Sequence, residues 1–591
     1  MDRIRYIIAF ASLAAVFGHG AAFGKGSVVN SPHNLSASGG GGKHGIMFAQ
    51  EQRICVFCHV PHNANPAGPL WSRGLPPESI YIKPYDSSTI KAIPKPDKPT
   101  GPSRLCLSCH DGTIALAAFQ GSTITGANAT LTMPTDIVPT RNPNLTTDLS
   151  DDHPISFGYT DSLAAAQGEL AYPETLPAEV RLEGGQVLQC TSCHDPHNNE
   201  FGNFLVINNN LSGAPLCVAC HKNAGWNSST HNPAASPTLT AACMNCHYVH
   251  SAPGPERLLH YRKVSDNCYL SCHNGNDTAS VNVRPLFNLS MHRHPIDLSL
   301  NVHDESESLP ATTYHVECVD CHNSHQVNNT GTSPLASPPY INGKLAGIKK
   351  DQAGNIATKE YEVCFKCHAG VNAFKFSGVT ETPANRMVLE PDEMKRFDYL
   401  NTASYHPVMG DRKSNGASLL SPIQQTMLKV YCSDCHNSEQ SKKAGGSGAS
   451  GPHGSLYPHI LLSQYYMPSI NETRQLYSAS QYDLCYRCHA ESFIMGSSSG
   501  FVKAGVSEHA RHVTDPTRLI PCYVCHDPHG ISLLSLSVPL PSATNNAHLI
   551  NFQKDYTVSA AVPNPVYTST GVGSGNCTTS CHGNDAAHSY P

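Results

Sequence analysis

Along the 591 residues, hydrophobic positions come in short bursts separated by polar, glycine- and proline-rich stretches. Helical periodicity is sustained only briefly, as over Asp161–Leu170 and Asp392–Tyr399, and strand-like alternation is scarce. Loops are predicted over Pro94–Pro102, Ser122–Asp152, Asn328–Tyr340 and Ser441–Gly454. The last has the Gly/Ser composition of a mobile linker. The one concentrated apolar run is Ile7–Phe17, behind Arg3 and Arg5 and ahead of Gly20, Ala21, Ala22 and Gly24. Basic, apolar and small residues in that order predict a secretory signal peptide over residues 1–24. The run is far short of the ~20 residues a spanning helix needs. No later segment is apolar enough to span, and no cysteine precedes Cys55 to carry a lipid. The mature chain is therefore expected to be exported and soluble.

Composition sharpens this picture of a loop-rich chain. Only 14% of residues are charged and 39% are hydrophobic, with 45 Gly and 44 Pro. Side-chain packing alone would give a modest core. Two residue types are in excess, 24 Cys and 34 His. A disulfide framework would account for the cysteines of an exported protein, but not for the histidines. A metal-containing cofactor accounts for both.

Every cysteine falls into one pattern. Ten segments read C-x-x-C-H: Cys55, Cys58 and His59; Cys106, Cys109 and His110; Cys190, Cys193 and His194; Cys217, Cys220 and His221; Cys243, Cys246 and His247; Cys318, Cys321 and His322; Cys364, Cys367 and His368; Cys432, Cys435 and His436; Cys485, Cys488 and His489; Cys522, Cys525 and His526. Two carry one extra spacer residue: Cys268, Cys272 and His273; Cys577, Cys581 and His582. This is the attachment signature of c-type haem. Two thiols add across the vinyl groups of one porphyrin edge, and the next histidine reaches the iron from below. Zinc sites and redox dithiols do not require histidine directly after every second cysteine. Twelve covalently bound haems are expected.

Twelve irons call for twelve distal ligands, and 22 histidines lie outside the motifs. A histidine three residues past the proximal one recurs at His62, His197, His250, His325 and His529. It cannot comfortably reach the opposite face of the same iron, but it can reach a neighbouring haem. A second context is His-Pro ahead of a motif, at His153, His294 and His406, where proline holds the preceding residue extended. His231 and His512 occupy the same slot, with His509 competing with His512. His453 stands in for the missing histidine three residues after His436, and His33 is the N-terminal candidate. His44, His260, His292, His303, His315, His459, His548 and His588 are left as substitutes or surface residues. The methionines show no recurrent context, so bis-histidine iron is expected throughout.

The motifs parse as five pairs with one motif at each end. Pairs begin at Cys106, Cys217, Cys268, Cys364 and Cys485, and end on His194, His247, His322, His436 and His526. Spacing within pairs varies, so ligand order repeats but length does not. The expected fold is a multihaem cytochrome c: mostly irregular coil with short helices, little sheet, wrapped around a chain of closely packed haems. It is a continuous region over 25–591 with approximate sub-modules 25–210, 211–345 and 346–591.

The run Cys55–Asn63 (C-V-F-C-H-V-P-H-N), followed by Pro69-Leu70-Trp71 and by Leu105–Gly112 (L-C-L-S-C-H-D-G), resembles the multihaem cytochromes of dissimilatory metal-reducing bacteria, as does Cys522–Gly530. It is similar to the doubled C-x-x-C-H families and to outer-surface cytochromes, some of which polymerise into conductive filaments. The resemblance implies electron transfer from other redox cytochromes, periplasmic or in the outer membrane, to a mineral or other extracellular acceptor such as Fe(III) oxide. It implies an outer-surface or extracellular location, with the periplasm as second choice. The formal charge of -6, made more negative by haem propionates, argues against nucleic-acid binding. A multihaem reductase is the competing class. It would need a haem with an open distal position, whereas the histidine supply covers every iron. A homopolymeric filament subunit is a third reading, compatible with conduction.

Overall fold

The computed structural model describes residues 26–590 apart from 41, 83–84, 86, 88–89, 140–141, 212, 235–238, 277–279, 297–315, 330–336, 352, 371–384, 427–428, 572–573 and 583–587. The signal-peptide segment, His303 and His315 lie outside the described residues, as do the side chains of His582 and His588. The chain divides into two compact units. One takes in 1–84, 91–149 and 154–220, and the other 85–90, 150–153 and 221–591. Among the described residues, no helix is long and apolar enough to cross a membrane.

Most described residues lie outside helix and strand. The two longest helices, Gly101–His110 and Glu360–His368, both run into an attachment motif and end on its histidine. The predicted helix at 161 is Asp161–Gln167. Thr160 caps it by accepting from the Leu163 N–H, and Gly168, at φ 76°, ends it. That at 392 shrinks to Glu393–Arg396, with Asp392 as its cap. Among the described residues, sheet is confined to short antiparallel pairings. Phe157–Gly158 pairs with Val187–Leu188 in the first unit. In the second, Thr402–Tyr405 pairs with Gly530–Ser532, and His292–Arg293 with Gly454–Ser455. A three-stranded sheet places Ser574–Thr578 between Val566–Gly571 and His588–Tyr590, with Cys577 opposite Tyr567 and His588.

The core is broken into small clusters, and these gather around motif cysteines. Phe48, Val56, Phe57, Leu116 and Phe119 pack with Cys58 and Cys109. Tyr482, Val513, Tyr523 and Val524 pack with Cys485, Cys522 and Cys525. Phe365, Phe397 and Tyr405 pack with Cys364 and Cys432. Aromatic and aliphatic side chains thus line the attachment points instead of meeting in one interior.

The Ser441–Gly454 segment departs from the linker expected of its composition. Ser441 is fully buried, and the Gly446, Gly448 and Gly451 N–H groups bond to Ser441 O, Gln440 O and Asn437 Oδ1 at 2.8–2.9 Å. Its glycines serve close approach. A Cβ on Gly446 would meet Gln440 O at 2.3 Å, and one on Gly454 would meet Leu286 O at 2.2 Å.

Candidate haem-ligand sites

Two cysteines three apart fall on one side of a helical turn, and the next residue continues that turn back beneath it. The motifs are built this way. In the C-x-x-C-H segments the histidine N–H bonds to the carbonyl of the first cysteine, for example His59 to Cys55 at 2.8 Å and His489 to Cys485 at 2.9 Å. The widened motif keeps that bond. The His273 N–H reaches Cys268 O at 2.9 Å, five residues back, so the extra residue is absorbed in a wider turn.

Nine of the proximal rings are then oriented from behind. The Nδ1–H groups of His59, His110, His194, His247, His273, His322, His436 and His526 donate to the backbone carbonyls of Pro69, Pro143, Asn203, Arg257, Val281, Lys344, His459 and His548, at 2.7–3.0 Å. His489 Nδ1 pairs with Ser418 Oγ at 2.8 Å. A histidine held through Nδ1–H presents Nε2, with its lone pair, to a metal.

Five of these acceptor carbonyls share one return loop. The residue after each is non-glycine with positive φ: Leu70, Phe204, Leu258, Ile460 and Leu549, at 53–62°. Their carbonyls accept from the N–H following the motif histidine, as in Val60 to Leu70 O at 2.9 Å. Two residues on, an N–H donates to the second cysteine, as in Ser72 to Cys58 O at 2.9 Å.

In front of the proximal rings stand other histidines. Two imidazoles bound through Nε2 to opposite faces of one metal, at about 2.0 Å each, have ring centres ~6.2 Å apart. The observed separations are 6.1 Å for His33 and His110, 6.1 Å for His59 and His197, and 6.3 Å for His153 and His221. They are 6.2 Å for His231 and His273, 6.2 Å for His247 and His325, and 6.1 Å for His322 and His453. His406 and His489 stand 6.3 Å apart, and His509 and His526 6.2 Å. His436 and His529 are closer, at 5.7 Å with 3.5 Å between Nε2 atoms, and would open by about 0.5 Å to take iron. His294 neighbours His368. These gaps fit a six-coordinate haem iron.

Electrostatics agree with neutral ligands. Burial and then the facing histidine lower His453 and His509 to about 3, and burial followed by His153 lowers His221 to about 4. Among distal candidates, Nδ1 of His231, His294 and His406 donates to Ser324 O, Pro452 O and Pro528 O. Two others use carboxylates: His250 faces Asp152 Oδ1 at 3.0 Å, and His529 faces Glu393 Oε2 at 3.1 Å.

Not every expected ligand is so placed. His509, not His512, faces His526, although the two lie one turn apart on the Glu508–Thr514 helix. His512 turns its Nδ1 to Glu508 O at 2.7 Å. His62 is exposed and faces no histidine among the described residues.

The thiols line up in chain order. Among the described residues, none of the 24 cysteines is in a disulfide. First cysteines of successive motifs touch: Cys106 and Cys190, Cys268 and Cys318, and Cys364 and Cys432 are hydrogen-bonded, while Cys485 neighbours Cys522. Second cysteines face the motif on the other side: Cys58 neighbours Cys109, Cys193 Cys220, and Cys246 Cys272. Cys321 neighbours Cys364 and Cys367, Cys435 neighbours Cys488, and Cys525 neighbours Cys577 and Cys581.

Further side chains hold successive motifs together. Ser103, three before Cys106, donates to Gln189 Oε1 and accepts from the Cys190 N–H at 3.0 Å. Ser265, three before Cys268, bonds the Glu317 carboxylate and accepts from the Cys318 N–H at 3.3 Å. Serine at the same offset before both first cysteines is the sequence signal of this clamp.

Comparison with curated proteins finds no match. Residues 183–225, which contain the third and fourth motifs, match the family model described as the doubled CXXCH motif, which supports a multihaem c-type cytochrome binding haem c covalently and acting in electron transfer.

Proposed function

We propose that the chain carries twelve c-type haems, each iron held between two histidines, and conducts electrons from other redox cytochromes to an extracellular acceptor such as Fe(III) oxide. The observation that carries this reading is the recurrent histidine pairing at 6.1–6.3 Å, the separation two imidazoles adopt across one iron. Bound haem supplies reversible one-electron chemistry at iron. The chain's residues supply ligands, fix tautomers through Nδ1, and set motif against motif at the thiols. Paired ligands leave no open iron position for a small substrate, which favours a carrier over a reductase. The location proposed is the outer surface, reached by way of the signal peptide.

A pyridine haemochrome assay combined with intact mass tests it. Twelve haems per chain are expected, and a count near zero removes the reading. High-spin or five-coordinate iron in the purified protein would remove the pure-carrier part and favour the reductase.

A further inference from the structure

The histidine pairs follow a register along the chain. A histidine ahead of an odd-numbered motif serves the next even-numbered one. His33, ahead of the first motif, faces His110 of the second, and His153, ahead of the third, faces His221 of the fourth. His231 likewise faces His273, His294 neighbours His368, and His406 faces His489. A histidine behind an odd-numbered motif serves the odd motif two places earlier. His197 behind the third faces His59 of the first, and His325 behind the seventh faces His247 of the fifth. His453 behind the ninth faces His322 of the seventh, and His529 behind the eleventh faces His436 of the ninth.

Two places break this register. At the eleventh motif the facing histidine comes from ahead of the motif itself, not from behind a motif two places on. His62, behind the first motif, is exposed and faces no histidine among the described residues. The structure fills the eleventh position locally, because His509 lies 6.2 Å from His526. The slot ahead of the eleventh motif, which by the register serves the twelfth, then falls to His512.

We propose that the Glu508–Thr514 helix serves two irons, His509 the eleventh haem and His512 the twelfth, and that His62 is not an axial ligand. This rests on the bis-histidine reading above. Residues three apart on a helix have neighbouring side chains, so they can reach two irons only when the haems adjoin. The eleventh and twelfth do: Cys525 neighbours Cys577 and Cys581. Val513 of the same helix shares a core cluster with Cys525 and Tyr556. The Tyr556 carbonyl accepts from the Cys581 thiol at 3.3 Å. Arg474, which lies over the Tyr556 ring, donates to Arg518 O at 2.8 Å, just past the helix. His512 has its Nδ1 on a backbone carbonyl, as His231, His294 and His406 do.

The test uses the full-length, haem-loaded protein, with haem number fixed by mass. High-spin ferric iron is read by electron paramagnetic resonance, and open positions by carbon monoxide binding after reduction. His509→Ala and His512→Ala should each turn one iron in twelve high-spin and bind one carbon monoxide, and the double variant two. His62→Ala should match the parent. His509→Met and His512→Met guard against misfolding of the alanine forms. Each should keep six-coordination, add one methionine-to-iron charge-transfer band and raise one haem potential. A high-spin iron in His62→Ala, or no change in either the His512→Ala or the His512→Met protein, overturns the proposal. High-spin iron already present in the parent would instead overturn the bis-histidine reading.

Discussion

Two distal candidates differ from the others in a single acceptor atom. His250 Nδ1 is hydrogen-bonded to the Asp152 carboxylate and His529 Nδ1 lies 3.1 Å from that of Glu393, where His231, His294 and His406 give their Nδ1–H to backbone carbonyls. A carboxylate draws the proton further and makes the imidazole a more basic ligand, which favours ferric over ferrous iron. Glu393 is well built for this. Burial alone would raise its pKa, but Arg396 at 2.8 Å, with His529, outweighs burial and holds the carboxyl down to about 2. Glu393→Gln should therefore raise the potential of the ninth haem and leave its neighbours nearly unchanged. A preference the size of one hydrogen bond, about 1 kcal/mol, corresponds to ~40 mV in a one-electron couple. A spectroelectrochemical titration of parent and variant checks it, and an unshifted curve would remove Glu393 from the tuning of this haem. Sequence could not single out Glu393, which lies well over a hundred residues from His529 and meets it only in the fold.

At the scale of elements, successive motifs are joined by a serine that bridges to the residue before the next first cysteine. That residue is Gln189 in one clamp and Glu317 in the other, both buried. Burial raises the Glu317 carboxyl above its ordinary 4.5, and the hydrogen bonds from Ser265 only partly oppose this. A raised carboxyl is favoured folded in its protonated form, so its contribution is complete below pH 4.5 and is lost as pH rises through the folded value. Glu317→Gln copies the other clamp, so its thermal midpoint should equal or exceed the parent's, with an advantage that grows above pH 4.5. Ser265→Ala should instead cost about 1–3 kcal/mol, because a buried carboxylate loses its donor. Melting curves at pH 4 and 7 decide both. The short helices, the scarcity of sheet and the motif turns were legible in the sequence, since each depends on local spacing. The return loops were not, because their positive-φ residues are Leu, Phe and Ile instead of glycine. Nor was the Ser441–Gly454 segment, whose glycines mark tight backbone approach around a buried ligand candidate.

Among the described residues, most of the larger hydrophobic clusters include motif cysteines. Chain made without haem attachment should lack cooperative thermal unfolding by circular dichroism, and attachment should restore it. A cooperative transition in the haem-free chain would show that the clusters suffice. Burial also pushes the Cys58, Cys193 and Cys435 thiols up to about 12, where the reactive thiolate is scarce. Thioether formation therefore belongs before the chain closes over its cysteines. The motifs and most of the facing histidines could be read from the sequence because cofactor chemistry dictates them residue by residue. The choice of His509 over His512 could not, since two histidines on one helix look equivalent until the side facing iron is known.

The alternation of thiol contacts has a consequence for failure. In the runs where contacts alternate, one cysteine of a motif looks back along the chain and the other looks forward. Within each such run, electrons would pass from one site to the next in chain order. Losing one attachment in the middle should interrupt passage as completely as losing several, while a loss at either end only shortens the line. Within such a run, tolerance to damage would depend on where the damage falls more than on how much there is.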